Sequence, residues 1–361
     1  MTSSLYWWQQ PAADKHDDIR EQALLHQNQL TKPPGALGKL EKLAMDMAAM
    51  QGQVKPEIHN AHCVVFAGDH GVVAQGVSAF PQAVTVEMLK NFVAGGAAIS
   101  VLANNNQFEL SVVNCGTASD CLDLAGVIHQ PIAAGTADFS QYAAMTEPQA
   151  LQSLQLGSDQ VDRVHQAGCD LLFAGDMGIG NTSAASAMAA VLLKLDVAGL
   201  TGPGTGVHGE ALDHKTDVLI TSVQRALPYI HKPVDALIQL GGFELGAIAG
   251  AYIRAAQLGI PVLVDGFITT SAALLAVQLN PSVRDWMIFS HGSAEPGHLQ
   301  LLAALSAEPI LDLGMRLGEG SGAGVAISVL RQALALHGQM ATFAQAGVSG
   351  SGSGSGSGSD V

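Results

Sequence analysis

One carboxylate, Glu319, stands between glycines in LGEGSGAG, from Leu317 to Gly324. Glycine neighbours leave such an acid free to approach a ligand, and a site closed to water raises its pKa toward that of a useful general base. A helix-start acid favoured by the dipole has the same pattern. GDMGIGNTSAA, from Gly175 to Ala185, carries Asp176, turns at Gly178 and Gly180, and supplies amide and hydroxyl donors from Asn181 to Ser183. If a helix opens there, its N-terminal N–H groups and positive dipole end make a phosphate cradle; an ordinary βα turn with Ser/Thr caps reads alike. The loop is neither G-x-G-x-x-G nor a P-loop. GPGTGVHG, from Gly202 to Gly209, is followed by Lys215, one of 16 basic residues. That lysine is either the point charge a phosphate needs or a solvated helix residue. FSHGSAEPGH, from Phe289 to His298, offers His291, Glu295 and His298 as metal ligands that Asp69 and His70 could join, or Ser293 and loop backbone as donors to a sugar phosphate. Its spacing matches no compact zinc pattern, so neither metal nor cofactor is expected. In GVSAFPQAV, from Gly76 to Val84, Phe80 and Pro81 present flat apolar surface for a planar ring or for the core.

These segments recur at one kind of place. Six apolar runs stop at glycine-bearing polar turns: HCVVFAGDHG from His62, ELSVVNCG from Glu109, DLLFAGDMG from Asp170, ALIQLGG from Ala236, PVLVDG from Pro261 and DWMIFSHG from Asp285. Continuous rather than alternating apolar runs are expected of parallel strands covered on both faces. Helical stretches intervene at Ala83 to Ala103, Ala184 to Leu195, Glu210 to Leu227, Leu245 to Gln257 and Ser271 to Leu279. The alternation predicts a doubly wound, Rossmann-like α/β sheet. Its ligands bind beyond the carboxyl ends of the strands, where Asp69, His70, Asn114, Asp176, Asp265, Ser290 and His291 fall. Helices at Asp17 to Gln27, Leu37 to Met50 and Gly322 to Ala341 lie outside the strand series. The expected organisation is a large α/β domain over 60–320 and a small helical domain from 1–59 with 321–346. A flexible Ser/Gly tail follows over 349–361.

Composition narrows the function. The 361 residues are 48% apolar and 13% charged, which suits a large buried core, and the net charge of −15 disfavours nucleic acid and anionic membrane as partners. No signal-peptide pattern opens the chain and no uninterrupted apolar run approaches a membrane span, so a soluble cytoplasmic protein is expected. Cys63, Cys115, Cys121 and Cys169 form no C-x-x-C pair and are expected as buried thiols. On residues alone three readings stay open: an enzyme that holds a phosphate on its glycine loops and uses Glu319 as general base, a metal-dependent phosphoesterase using Asp69, His70, His291 and His298, and a non-catalytic nucleotide sensor.

TKPPGALGKLEKLA, FAGDHGV, GVSAFPQAVT, NFVAGGAAI, GTADF, GDMGIGNTSAA, LQLGGFELGAIAGA, VDGFITTSAALLA, FSHGSAEPGH and LDLGMRLGEGSGA, in this order from about Leu30 to Gly338, resemble the nicotinate-nucleotide:dimethylbenzimidazole phosphoribosyltransferases. The resemblance implies transfer of phosphoribose from nicotinate mononucleotide to 5,6-dimethylbenzimidazole, giving α-ribazole 5′-phosphate and nicotinate. It also implies a six-stranded parallel sheet, a small helical domain from both chain ends, and a homodimer. Carried onto matching motifs, Glu319 is the catalytic base, and Gly178, Lys215 and Ser293 contact phosphate and ribose. Ser78, Phe80 and Met315 belong to the base pocket. The family loop is usually G-E-M-G-I-G-N-T-T, from which this chain departs with the shorter Asp176 and with Ser183.

Overall fold

The computed structural model describes residues 6–204 and 206–349; residues 350–361 of the expected Ser/Gly tail lie outside them. Six parallel strands form one sheet: β1 Ala61–Gly68, β2 Glu109–Gly116, β3 Val127–His129, β4 Leu171–Met177, β5 Val262–Val264 and β6 Met287–Phe289, in the order β3-β2-β1-β4-β5-β6. Every residue of β4, β5 and β6 except Met177 is buried, which explains their unbroken apolar sequences. From β1 the chain runs outward to β2 and β3, and from β4 it runs the other way to β5 and β6. A crevice therefore opens between the loops that follow β1 and β4.

One expected strand is a helix. ALIQLGG belongs to the helix Pro233–Leu240, which has Pro233 at its first turn and is capped by Asp235 accepting from the N–H groups of His231 and Lys232, both at 2.9 Å. Val234, Ala236, Leu237 and Leu240 are buried. Their spacing is helical, but the short apolar run alone does not separate buried strand from buried helix. The sixth strand is β3, a three-residue edge pairing Val112 with Val127 and Asn114 with His129. The expected helix at Ala83 to Ala103 is two, Ala83–Val93 and Ala98–Asn106, separated at Gly95 and Gly96. Taken as one, Ala83–Asn106 passes by length and a mean hydropathy of 1.3 for a membrane-crossing helix. The break at the glycine pair lets the second helix point its N-terminus at Glu319, as described below. All four cysteines are free and buried.

The described residues divide into two compact units, 6–13 with 58–328, and 14–57 with 329–349. In the first, the N-terminal segment is tied down by Asn280, whose amide donates to Trp8 O at 2.9 Å and Gln10 O at 2.7 Å. In the second, the helices Asp17–Gln27 and Lys39–Gln51 accompany the end of the long helix Ser321–Gln339. His337 organises this unit. Its Nδ1 accepts from Gln27 Nε2 and its Nε2 donates to Val54 O, both at 2.7 Å. This pairing needs the neutral ring, and burial correspondingly holds His337 below the ordinary histidine range.

Candidate active site

A cavity of about 440 Å³ opens at the carboxyl ends of the strands. The end of β4 contributes Asp176, the turn and helix start after it Gly178, Ile179, Asn181 and Thr182; the turn and helix start after β5, Gly266 and Phe267; the loop after β6, His291, Ser293 and Glu295. Phe80, Val84 and Met88 form an apolar wall, and Arg316, Leu317, Gly318 and Glu319 complete the lining. Phe80 is 48% exposed, so it serves the cavity rather than the core.

Glu319 is 7% exposed and adopts φ +64, between Gly318 at +87 and Gly320 at +86. A left-handed backbone costs a non-glycine residue roughly 1 kcal/mol, so the chain holds an acid where glycine would be easier. The conformation aims the carboxylate at the start of the helix Ala98–Asn106, where Oε2 accepts from Ile99 N at 3.5 Å. Burial pushes the carboxyl above its ordinary range, the N–H groups of Ile99 and Ala98 pull it back, and the buried Asp265 raises it further. Backbone strain and desolvation at one acid make it the candidate for the site's chemistry. Glu319→Gly is therefore expected to lose turnover without a fall in melting temperature, read by calorimetry; a drop of more than about 4 °C would show that the acid supports the fold.

The segment after Asp176 turns at glycine and opens a helix, the local form expected from its sequence. Gly180, at φ +98, precedes the helix Asn181–Leu193, whose first turn has no side-chain cap. Gly178 packs against Gly68 so closely that a Cβ would collide with Gly68 O, which ties the loop after β4 to the end of β1. Asp176 accepts from Asn181 Nδ2 at 2.9 Å, and burial first, then Asp265, Glu244 and Glu319, hold its carboxyl well above the ordinary range. Lys215 is no solvated helix residue. It is 1% exposed, and Nζ donates to Gly202 O at 2.9 Å and Thr182 Oγ1 at 3.1 Å, bridging the two glycine loops. Burial pulls its pKa down to about 8, against the opposing effect of Glu295.

Four sequence-selected residues sit just outside the lining. Lys215 stands behind Thr182 and Gly204; Gly180 ends the turn; the Ser78 hydroxyl accepts from Phe80 N at 3.2 Å; and Met315 O accepts from Ala294 N at 2.9 Å, bracing the loop that carries Ser293. Asp176, Gly178, Asn181, Phe80, Ser293 and Glu319 are brought together. His298 is committed elsewhere: Nδ1 accepts from Ser293 N at 2.7 Å, Nε2 pairs with Thr270 Oγ1 at 3.0 Å, and burial lowers its pKa to about 3. His70 pairs with Glu244 at 2.8 Å in full burial. Among the described residues no group of three or more His, Cys, Asp and Glu side chains is arranged to hold a metal ion. Sequence reasoning passed over Arg316, whose Nη1 donates to Gly204 O at 2.9 Å, and Met88. Val84 and Met88, four residues apart in the helix Ala83–Val93, share a face, which was a legible signal for part of the apolar wall.

Comparison with known proteins places the chain in a family. The phosphoribosyltransferase family model DBI_PRT matches residues 12–348. The nicotinate-nucleotide–dimethylbenzimidazole phosphoribosyltransferase of Ectopseudomonas mendocina is 53% identical over 345 residues, spanning 96% of this chain and 98% of that protein. The protein of that name in Pseudomonas aeruginosa UCBPP-PA14 is 53% identical over 348 residues, spanning 96% and 99%. Among solved structures, CobT from Thermus thermophilus superposes with a TM-score of 0.88 at 45% identity, covering 92% of this chain and 99% of that one.

Proposed function

The chain belongs to the DBI_PRT phosphoribosyltransferase family, and from that premise we propose that it transfers phosphoribose from nicotinate mononucleotide to 5,6-dimethylbenzimidazole, giving α-ribazole 5′-phosphate and nicotinate. One observation carries the reading: Glu319 lines the same cavity as the uncapped helix start at Asn181 and Thr182 and the Ser293 loop. The positive end of that helix, Lys215 behind Thr182, and Ser293 hold the ribotide, and the Phe80, Val84 and Met88 wall takes the planar acceptor ring. In nicotinate mononucleotide the leaving ring is a pyridinium, which departs as nicotinate with its ring nitrogen neutral and needs no general acid. The acceptor loses its N–H proton as its other nitrogen attacks C1′, so a single base suffices. Glu319 takes that proton, and attack opposite the departing ring converts the β-linked reactant to an α-linked product. Incubation of the protein with both substrates tests the proposal directly. Release of nicotinate with an α-linked product by NMR supports it, and absence of nicotinate release overturns it.

The pH dependence follows from two groups. Glu319, held above its ordinary pKa, must be deprotonated to act as base, so kcat/KM rises with pH through its titration. Lys215, pulled down to about 8, must be protonated to hold a phosphate, so kcat/KM falls again above about pH 8. A bell-shaped profile is expected, and Lys215→Met should remove its alkaline limb. An alkaline limb unchanged in that variant would assign it to another group. The proposal extends to a cytoplasmic homodimer, checked by sedimentation, and to the two compact units as separate domains, checked by limited proteolysis between them.

A further inference from the structure

Glu295 is a carboxylate for which the reaction as described has no use. It lines the cavity, is 5% exposed, and neither of its buried oxygens has a hydrogen-bond partner. Its Oε2 lies so close over Gly202 that any Cβ there would collide with it, so the second glycine loop is shaped around this side chain. Burial pushes its carboxyl above the ordinary range, while Lys215 and Arg316 as nearby cations, and the Gly204 N–H without a hydrogen bond of good geometry, favour its charged form. An ionised carboxylate only accepts. Beside a cradle built for phosphate, which also mainly accepts, it would repel the ligand unless the ligand brings a donor to that corner. Nicotinate mononucleotide has few. The pyridinium has no N–H, its carboxylate has no proton at neutral pH, and the acceptor's N–H is claimed by Glu319, which leaves the ribose hydroxyls.

We propose, resting on the nucleotide-transfer reading above, that Glu295 accepts hydrogen bonds from the ribose 2′- or 3′-hydroxyl and so makes the enzyme selective for ribo- over deoxyribonucleotides. The carboxylate then has two roles in turn. In the empty site it is the counter-charge to Lys215; once phosphate takes over Lys215, it turns to the sugar. Loss of a hydrogen bond between a hydroxyl and a buried charged acceptor is worth about 10- to 100-fold in kcat/KM.

The test compares nicotinate mononucleotide with its 2′-deoxy and 3′-deoxy analogues at saturating dimethylbenzimidazole, using the full-length protein and the variants Glu295→Ala and Glu295→Gln. Deoxygenation changes the intrinsic reactivity at C1′, but the same change enters for every enzyme form and cancels in the double comparison. The expected result is that Glu295→Ala loses about 10- to 100-fold on the ribonucleotide and almost nothing on one deoxy analogue. Glu295→Gln, whose carbonyl still accepts, should fall between. Equal losses on all three nucleotides in Glu295→Ala would overturn the proposal and leave the carboxylate as a charge partner alone. Should Glu295→Ala fail to fold, a crystal structure of the parent with nicotinate mononucleotide decides. A ribose hydroxyl within about 3 Å of Glu295 supports the proposal and both hydroxyls turned away overturn it. Parent turnover of nicotinate mononucleotide itself is the control, since its absence sinks the transfer reading and not only this inference.

Discussion

Glu319→Gln is expected to lower kcat by roughly 10²- to 10⁴-fold with little change in the KM for nicotinate mononucleotide. The amide keeps the side-chain length and can still accept from Ile99 N, so the left-handed backbone and the contact with the helix Ala98–Asn106 survive. What it loses is proton affinity. The buried carboxyl is held above its ordinary range, which brings it closer to the acceptor's proton than an exposed glutamate would be. With the nucleotide held by other residues, as proposed, the loss falls on the chemical step, and single-turnover kinetics with saturating substrates measures it. Turnover within a few-fold of the parent would remove Glu319 from the chemistry.

Lys215→Met is expected to raise the KM for nicotinate mononucleotide by about 10- to 100-fold, the range for a hydrogen bond to a charged group, with a smaller effect on kcat. Methionine fills the same volume without the ammonium. The parent holds that charge against a pKa pulled down to about 8 from 10.5, a cost on the order of 3 kcal/mol in the nucleotide-free protein. A phosphate arriving at the cradle offsets it. The variant should therefore gain much less stability from added nucleotide than the parent does, which thermal shift with and without ligand reads. An unchanged KM, or an equal gain on adding nucleotide, would place the phosphate elsewhere.

Much of this was legible because the sequence encodes burial directly. β1, β2 and β4 are long apolar runs ending in glycine-bearing polar turns, and a strand covered on both faces has little other way to be written. Glu319 stood out since few positions flank an acid with glycines and then begin a helix. Shorter signals misled. The apolar residues from Ala236 to Leu240 fit strand or helix, and the helix was decided by Pro233 and the cap at Asp235; β3, with three residues, carries no period at all. At the site, Lys215 illustrates a different limit. Its helix, Glu210–Ala226, is amphipathic in the ordinary way, and nothing local shows that this lysine turns inward to bridge Thr182 and Gly202. Arg316 was missed for the same reason, since its partner, Gly204 O, is more than a hundred positions away.

The central claim is geometric: the Glu319 carboxylate faces the acceptor ring while the loops after β4 and β6 hold the ribotide. A crystal structure of the protein with dimethylbenzimidazole and nicotinate mononucleotide, using Glu319→Gln to prevent turnover, measures it. The account predicts the side-chain oxygen of residue 319 within about 2.6–3.2 Å of a ring nitrogen of the acceptor, with the other nitrogen turned toward C1′. An acceptor ring bound with both nitrogens away from residue 319 would contradict it.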